Sequence, residues 1–192
     1  MKRLGLIIPL VLIALFGLMA MFSYNGLVSV DEQAEKTWGN VETEYQRRFD
    51  LIDNLVETVK GYADFEKSTL VEVTQARAAA FGAMKSVDEN GIEQFQVAQN
   101  RLGVAMRGML GYSEQYPDLK ANKNFLELQA QLEGTENRIA FSREKYNESV
   151  EVYNKKVRKF PSNIMAGMFG FEKREMFSSS EGADVAPKVN FK

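Results

Sequence analysis

From Leu4 to Phe22 the chain reads LGLIIPLVLIALFGLMAMF, an apolar run without a charged residue. About 20 helical residues cross the roughly 30 Å hydrocarbon core of a bilayer, so this run predicts a transmembrane helix over residues 4–23, behind a short flank at 1–3. Pro9 falls near the start of the run, where lipid-embedded helices accept proline. A cleaved signal peptide is the rival reading. Lys2 and Arg3 suit its basic flank, but the run exceeds the usual ~7–15 residues and no A-x-A site follows it.

The pattern then changes from uniformly apolar to helical. Val30, Ala34, Trp38, Val41, Tyr45, Phe49, Ile52, Leu55, Val59 and Tyr62 recur every three or four residues. This is one stripe of a long helix over about residues 28–61. Asn25 and Gly26 precede it without a proline, so the anchor runs into this helix with at most a local break. Asp64 to Lys85 predicts a second helix, with Leu70, Val73, Ala76, Arg77, Ala80, Phe81 and Met84 on one side. Asp88-Glu89-Asn90-Gly91 is a turn signal. Ile92 to Gly111 predicts a third helix on Phe95, Ala98, Leu102, Met106 and Met109, weakened by Gly103, Gly108 and Gly111. Tyr116-Pro117-Asp118 reads as a loop. The fourth helix carries Phe125, Leu128, Leu132, Ile139, Tyr146, Val150, Tyr153, Val157 and Phe160, with Asn122 or Asn124 as cap and Pro161 beyond its end.

No segment alternates with period two over any length. The fold class is therefore all-α: an N-terminal transmembrane helix followed by an elongated antiparallel four-helix bundle over residues 24–160. Residues 161–192 form a tail that is first apolar (Ile164, Met165, Met168, Phe169, Phe171, Met176, Phe177) and then polar, with Val189 and Phe191 near its end.

Composition narrows the function. The 26 acidic and 24 basic residues leave a net charge of -2, without the basic stripe that nucleic acid requires. The 45% hydrophobic content excludes a disordered acidic chain. Cysteine is absent, which removes disulfides and thiolate metal sites. Histidine is absent too, and with it the commonest general base and metal ligand. Expected catalytic residues, metals and cofactors are therefore none. By the positive-inside rule, Lys2 and Arg3 keep the short N-terminus in the cytoplasm and send the domain to the other side.

Several polar and aromatic groups invite a sharper reading. Arg47, Arg48, Asp50 and Asn54 crowd one stretch of the first long helix, either as a docking face or as a solvated face with one buried side chain. Thr135, Asn137 and Arg138 lie mid-helix, where a polar layer across the bundle would fix register or hold a small ligand or peptide. Tyr146-Asn147 and Tyr153-Asn154 repeat at seven residues, so both tyrosines share a face. Core packing is the plain account and an aromatic groove for a partner helix the sharper one. The apolar stretch Ile164, Met165, Met168, Phe169, Phe171 and Phe177 needs a cover: the parent bundle, a neighbouring subunit or the membrane.

The blocks YNGLVSVDEQAEKTW, QRRFDLIDNLVETVKGYADFE, LKANKNFLELQAQLEGTENRIA, REKYNESVEVYNKKVRKFP and GFEKREMF resemble the LemA family in order and spacing, from about Tyr24 to Phe177. The resemblance implies a bacterial single-pass membrane protein with an antiparallel helical bundle and no established activity. One family member is associated with magnetosome membranes, which implies membrane organisation rather than chemistry. The expected partners are the bilayer, a second copy of the chain or another protein, and not nucleic acid. The expected role is a non-enzymatic scaffold or adaptor, with a sensor working through the mid-bundle polar layer as the alternative.

Overall fold

The computed structural model describes residues 4–61, 67–87 and 91–178; side chains at 4–8 and at position 112 lie outside the description. Lys2, Arg3, Tyr62, Asp64, the Asp88–Asn90 turn signal, Val189 and Phe191 fall outside the described residues.

The first helix, α1, runs unbroken over Leu4–Lys60. At about 1.5 Å per residue it is a rod of roughly 85 Å. Its first turns, from Leu10 through Phe22, expose their apolar side chains, as a lipid-facing helix does and a core helix does not. From Ser23 onward one face is buried: Leu27, Ala34, Val41, Tyr45, Phe49, Ile52, Leu55 and Val59. The local break expected at Asn25 and Gly26 is absent. Gly26 is instead a close-approach point, because the Lys156 ammonium lies 2.8 Å from where a Cβ would stand.

Helices α2 (Lys67–Lys85) and α3 (Ile92–Ser113) follow, then a single turn, α4, at Pro117–Lys120. The Tyr116-Pro117-Asp118 loop expectation is thus corrected. Pro117 opens the turn, where a missing N–H costs nothing. Helix α5 spans Lys123–Arg158. Asn122 caps it by accepting the Phe125 N–H at 3.2 Å, and Lys155, Lys156 and Arg158 complement its C-terminal dipole. Phe160 leaves the predicted stripe because the helix stops at Arg158; its ring is exposed. A short helix, α6, covers Ser162–Phe169 and ends on Gly170 at φ 75°. Residues 171–178 then run without regular structure.

The chain is all-α, with no strand among the described residues. Helix α5 lies antiparallel on α1, as the cross-contacts Thr37–Ser149, Glu44–Arg138 and Arg48–Glu136 establish. Helix α2 is antiparallel to α1 through Phe49–Phe81 and Asp53–Arg77. The four long helices share one core, including Val41, Phe49, Val73, Ala80, Phe95, Leu102, Ile139 and Val150. Burying such side chains stabilises the fold by about 1.5–3 kcal/mol each before entropy is counted. A smaller cluster, Leu27 with Met165 and Ala166, fastens α6 to α1 just past the apolar turns.

Candidate docking groove

Residues 171–178, the strap, lie along the exposed side of the α1/α5 pair, and α5 holds them by their backbone. Asn154 donates from Nδ2 to the Arg174 carbonyl at 2.9 Å and accepts the Arg174 N–H at 3.0 Å. Asn147 repeats this on Phe177, donating at 2.9 Å and accepting at 2.9 Å. A side-chain amide presents one donor face and one acceptor oxygen, so each asparagine meets a residue as a neighbouring strand would.

The register follows from two rises. Seven residues along a helix advance about 10.5 Å. Three residues of extended chain advance about 10 Å. Asparagines spaced i, i+7 on α5 therefore match residues spaced by three on an antiparallel strap. The Tyr146 hydroxyl donates to the Glu175 carbonyl at 3.3 Å between the two clamps. Arg143 and Gln96 close the far end, donating to the Ser178 carbonyl at 3.0 Å and 3.1 Å.

Side chains at the same two strap positions fill pockets. Phe177 is buried at 5% exposure. Its ring stacks near Trp38 at 6.0 Å between centroids and meets the Tyr146 ring edge-on at 5.6 Å. The Arg143 guanidinium lies 4.6 Å from the Phe177 ring centre, within cation–π range. Arg174 reaches Asp31 on α1 at 2.9 Å, with Glu35 at 3.9 Å, and lies over the Tyr153 ring. The groove thus reads an extended backbone together with a basic side chain and an aromatic one three residues later.

The other singled-out residues are placed differently. Tyr146 and Tyr153 are buried core residues, as plain packing requires, and form the groove floor. The groove holds an extended segment and not a partner helix. Arg47, Asp50 and Asn54 face solvent, with Asp50 accepting from Gln46 at 2.8 Å. Arg48 alone turns inward and pairs with Glu136 at 2.8 Å. Thr135 is buried, but its hydroxyl donates within its own helix, to the Leu132 carbonyl at 2.6 Å. Asn137 is exposed beside Asn40 and Thr43 on a shallow cleft, and Arg138 pairs with Glu44 at 3.0 Å near the surface. The mid-bundle polar layer is therefore corrected. Residues two apart are about 200° apart around a helix, so Thr135 and Asn137 cannot both face inward. A polar contact between helices with both partners buried is Thr37 with Ser149 at 2.6 Å.

Burial pushes the Tyr45 phenol above its ordinary value, against the lowering influence of Arg143 and Arg48, so it stays neutral. Among the described residues no three carboxylates converge as metal ligands.

Of the apolar stretch, Met165 packs on Leu27, Phe171 sits half-buried against that cluster and Phe177 enters the main core. Ile164, Met168 and Phe169 remain exposed.

Comparison with known proteins locates this architecture. A model described as the LemA family matches residues 37–191, which takes in most of the bundle, α6 and the strap. Magnetosome protein MamQ 2 of Paramagnetospirillum magneticum is 26% identical over 185 residues, covering 86% of this chain and 68% of the relative. Magnetosome protein MamQ of Magnetospirillum gryphiswaldense is 26% identical over 192 residues, covering 88% and 71%. Protein LemA of Metamycoplasma hominis is 25% identical over 158 residues, covering 82% and 69%.

Proposed function

The chain belongs to the LemA family, and from that premise we propose that it is a non-enzymatic, membrane-tethered adaptor whose working surface is the strap groove. The apolar turns of α1 serve as a single bilayer span. Lys2 and Arg3 before that span favour a domain on the non-cytoplasmic face. The same helix continues into the bundle, so the groove is carried on a stiff stalk at a set distance from the lipid.

One observation carries this reading: two asparagines on one helix face hold an extended segment by its own amide groups. Main-chain hydrogen bonds give affinity without regard to sequence, and side-chain pockets add selection, as in other extended-peptide sites. In this chain the strap fills the groove. A segment of another protein, or of a second copy, competes for it when it carries a basic residue three positions before an aromatic one. A sensor working through Thr135 and Asn137 has less support, because those residues share no interior site.

The test uses the full chain in detergent micelles with its own strap loosened by Arg174→Ala and Phe177→Ala. A labelled peptide of sequence GFEKREMFS is expected to bind it saturably, with a Kd on the order of 10 μM for so small a contact. Adding Asn147→Leu and Asn154→Leu is expected to abolish binding. Absence of saturable binding by a loosened chain that keeps its helical circular dichroism contradicts the proposal.

A further inference from the structure

The strap groove leaves the other end of the tail unexplained. Helix α6 buries Met165 and Ala166 against Leu27, with Ala20 beside them. Ile164 and Met168 turn away from that contact, Phe169 at its last turn stays more than half exposed, and Phe160 just before it is exposed as well. Met168 is 69% exposed and Phe160 72%. So much grease on so short an element is costly in water.

Its place on α1 suggests what covers it. Ala20 belongs to the last apolar turn and Leu27 lies two turns further on. At about 1.5 Å per residue, α6 crosses a band of roughly 10 Å at the point where α1 leaves the apolar stretch. The Tyr24 ring meets Phe169 at 4.7 Å and Phe171 at 6.0 Å in that band, in the manner of an interfacial aromatic girdle. Basic charge stands at the same level. The end of α5 brings Lys156 over Gly26, followed by Arg158 and Lys159, none of them in an ion pair among the described residues.

We infer that α6 is a second membrane contact: it lies at the boundary of hydrocarbon and headgroups in the leaflet that α1 enters, with Ile164, Met168 and Phe169 in the lipid. Lys156, Arg158 and Lys159 bind the phosphates of anionic phospholipid. The inference rests on the reading of α1 as a membrane span. Two attachments fix the tilt and rotation of the stalk, which one helix does not, and so set the direction in which the groove faces.

Because the chain has no cysteine, single cysteines for a nitroxide label are readily placed at Leu15, Val104 and Met168. The full-length variants are reconstituted into vesicles of phosphatidylcholine alone or mixed with phosphatidylglycerol. The label at Met168 is expected to resemble Leu15: relaxed by oxygen and several-fold less accessible to a water-soluble nickel chelate than the label at Val104. Its protection is expected to rise with phosphatidylglycerol and to lose that rise when Lys156, Arg158 and Lys159 become glutamine. A Met168 label as accessible to nickel as Val104, with Leu15 still in lipid, overturns the α6 contact and leaves the anchor standing. Spin–spin broadening at Met168 points to a second copy as the cover and overturns it too. A water-accessible Leu15 overturns the anchor and the inference with it.

Discussion

Phe177→Ala is expected to release the strap, at a cost of about 3 kcal/mol or more for a buried aromatic side chain. The ring is enclosed by Trp38, Phe95, Tyr146 and the Arg143 guanidinium. The loss falls on the docking of residues 171–178, since the other buried members of that core lie on helices α1 to α5. Trypsin cleavage at Lys173 and Arg174 reads it directly. The open population, and with it the cleavage rate, is expected to rise on the order of a hundredfold. Phe141→Ala is the control. That ring is exposed on α5, and its removal is expected to stay within about 0.5 kcal/mol. Equal cleavage rates in the two variants would sink the claim that Phe177 holds the strap.

The second large effect is polar. Asn147→Leu keeps the number and branching of the side-chain heavy atoms and removes both clamps on Phe177. The Phe177 N–H and carbonyl then lose their partner beside a buried ring, where water reaches them poorly. Each unsatisfied group costs about 1–3 kcal/mol, and we expect roughly 2–3 kcal/mol in all. Asn154→Leu is expected to act the same way on Arg174, with a smaller effect, because the Arg174 side chain stays held by Asp31. The measurement is strap docking by trypsin sensitivity, with circular dichroism showing the bundle intact. A strap that stays docked in Asn147→Leu would mean that the aromatic pocket alone suffices.

Much of the architecture was legible in the sequence because it is local. The spacing of Ala34, Val41, Phe49, Ile52 and Val59 names the buried face of α1, and the burial of those residues agrees with it. The uncharged run before it is long and apolar enough to cross a membrane. Local signals misled where tertiary contacts override them. Gly26 reads as a weak point in a helix, yet the helix runs through it unbroken with the end of the Lys156 side chain lying across it. Pro117 reads as a loop, yet at a first helical position it loses no hydrogen bond.

The groove was half visible. The repeat of Tyr146-Asn147 and Tyr153-Asn154 marks one face of α5, where the rings go to the core and the amides beside them meet the strap. A polar residue next to a core residue usually marks the solvated rim. What gives these two their role is the backbone of residues 20 and 30 positions further on. The Thr37–Ser149 contact spans 112 positions. Periodicity along the chain carries no information about contacts at that range.

The central claim is that side-chain amides hold the strap by its backbone in a three-residue register. Residue-by-residue amide hydrogen exchange over 172–177, on the full chain in micelles, tests it most directly. The account predicts slow exchange at Arg174 and Phe177, whose N–H groups bond to Asn154 and Asn147, and fast exchange at Glu172, Lys173, Glu175 and Met176. Uniformly fast exchange across the segment, or protection that ignores the three-residue spacing, would contradict it.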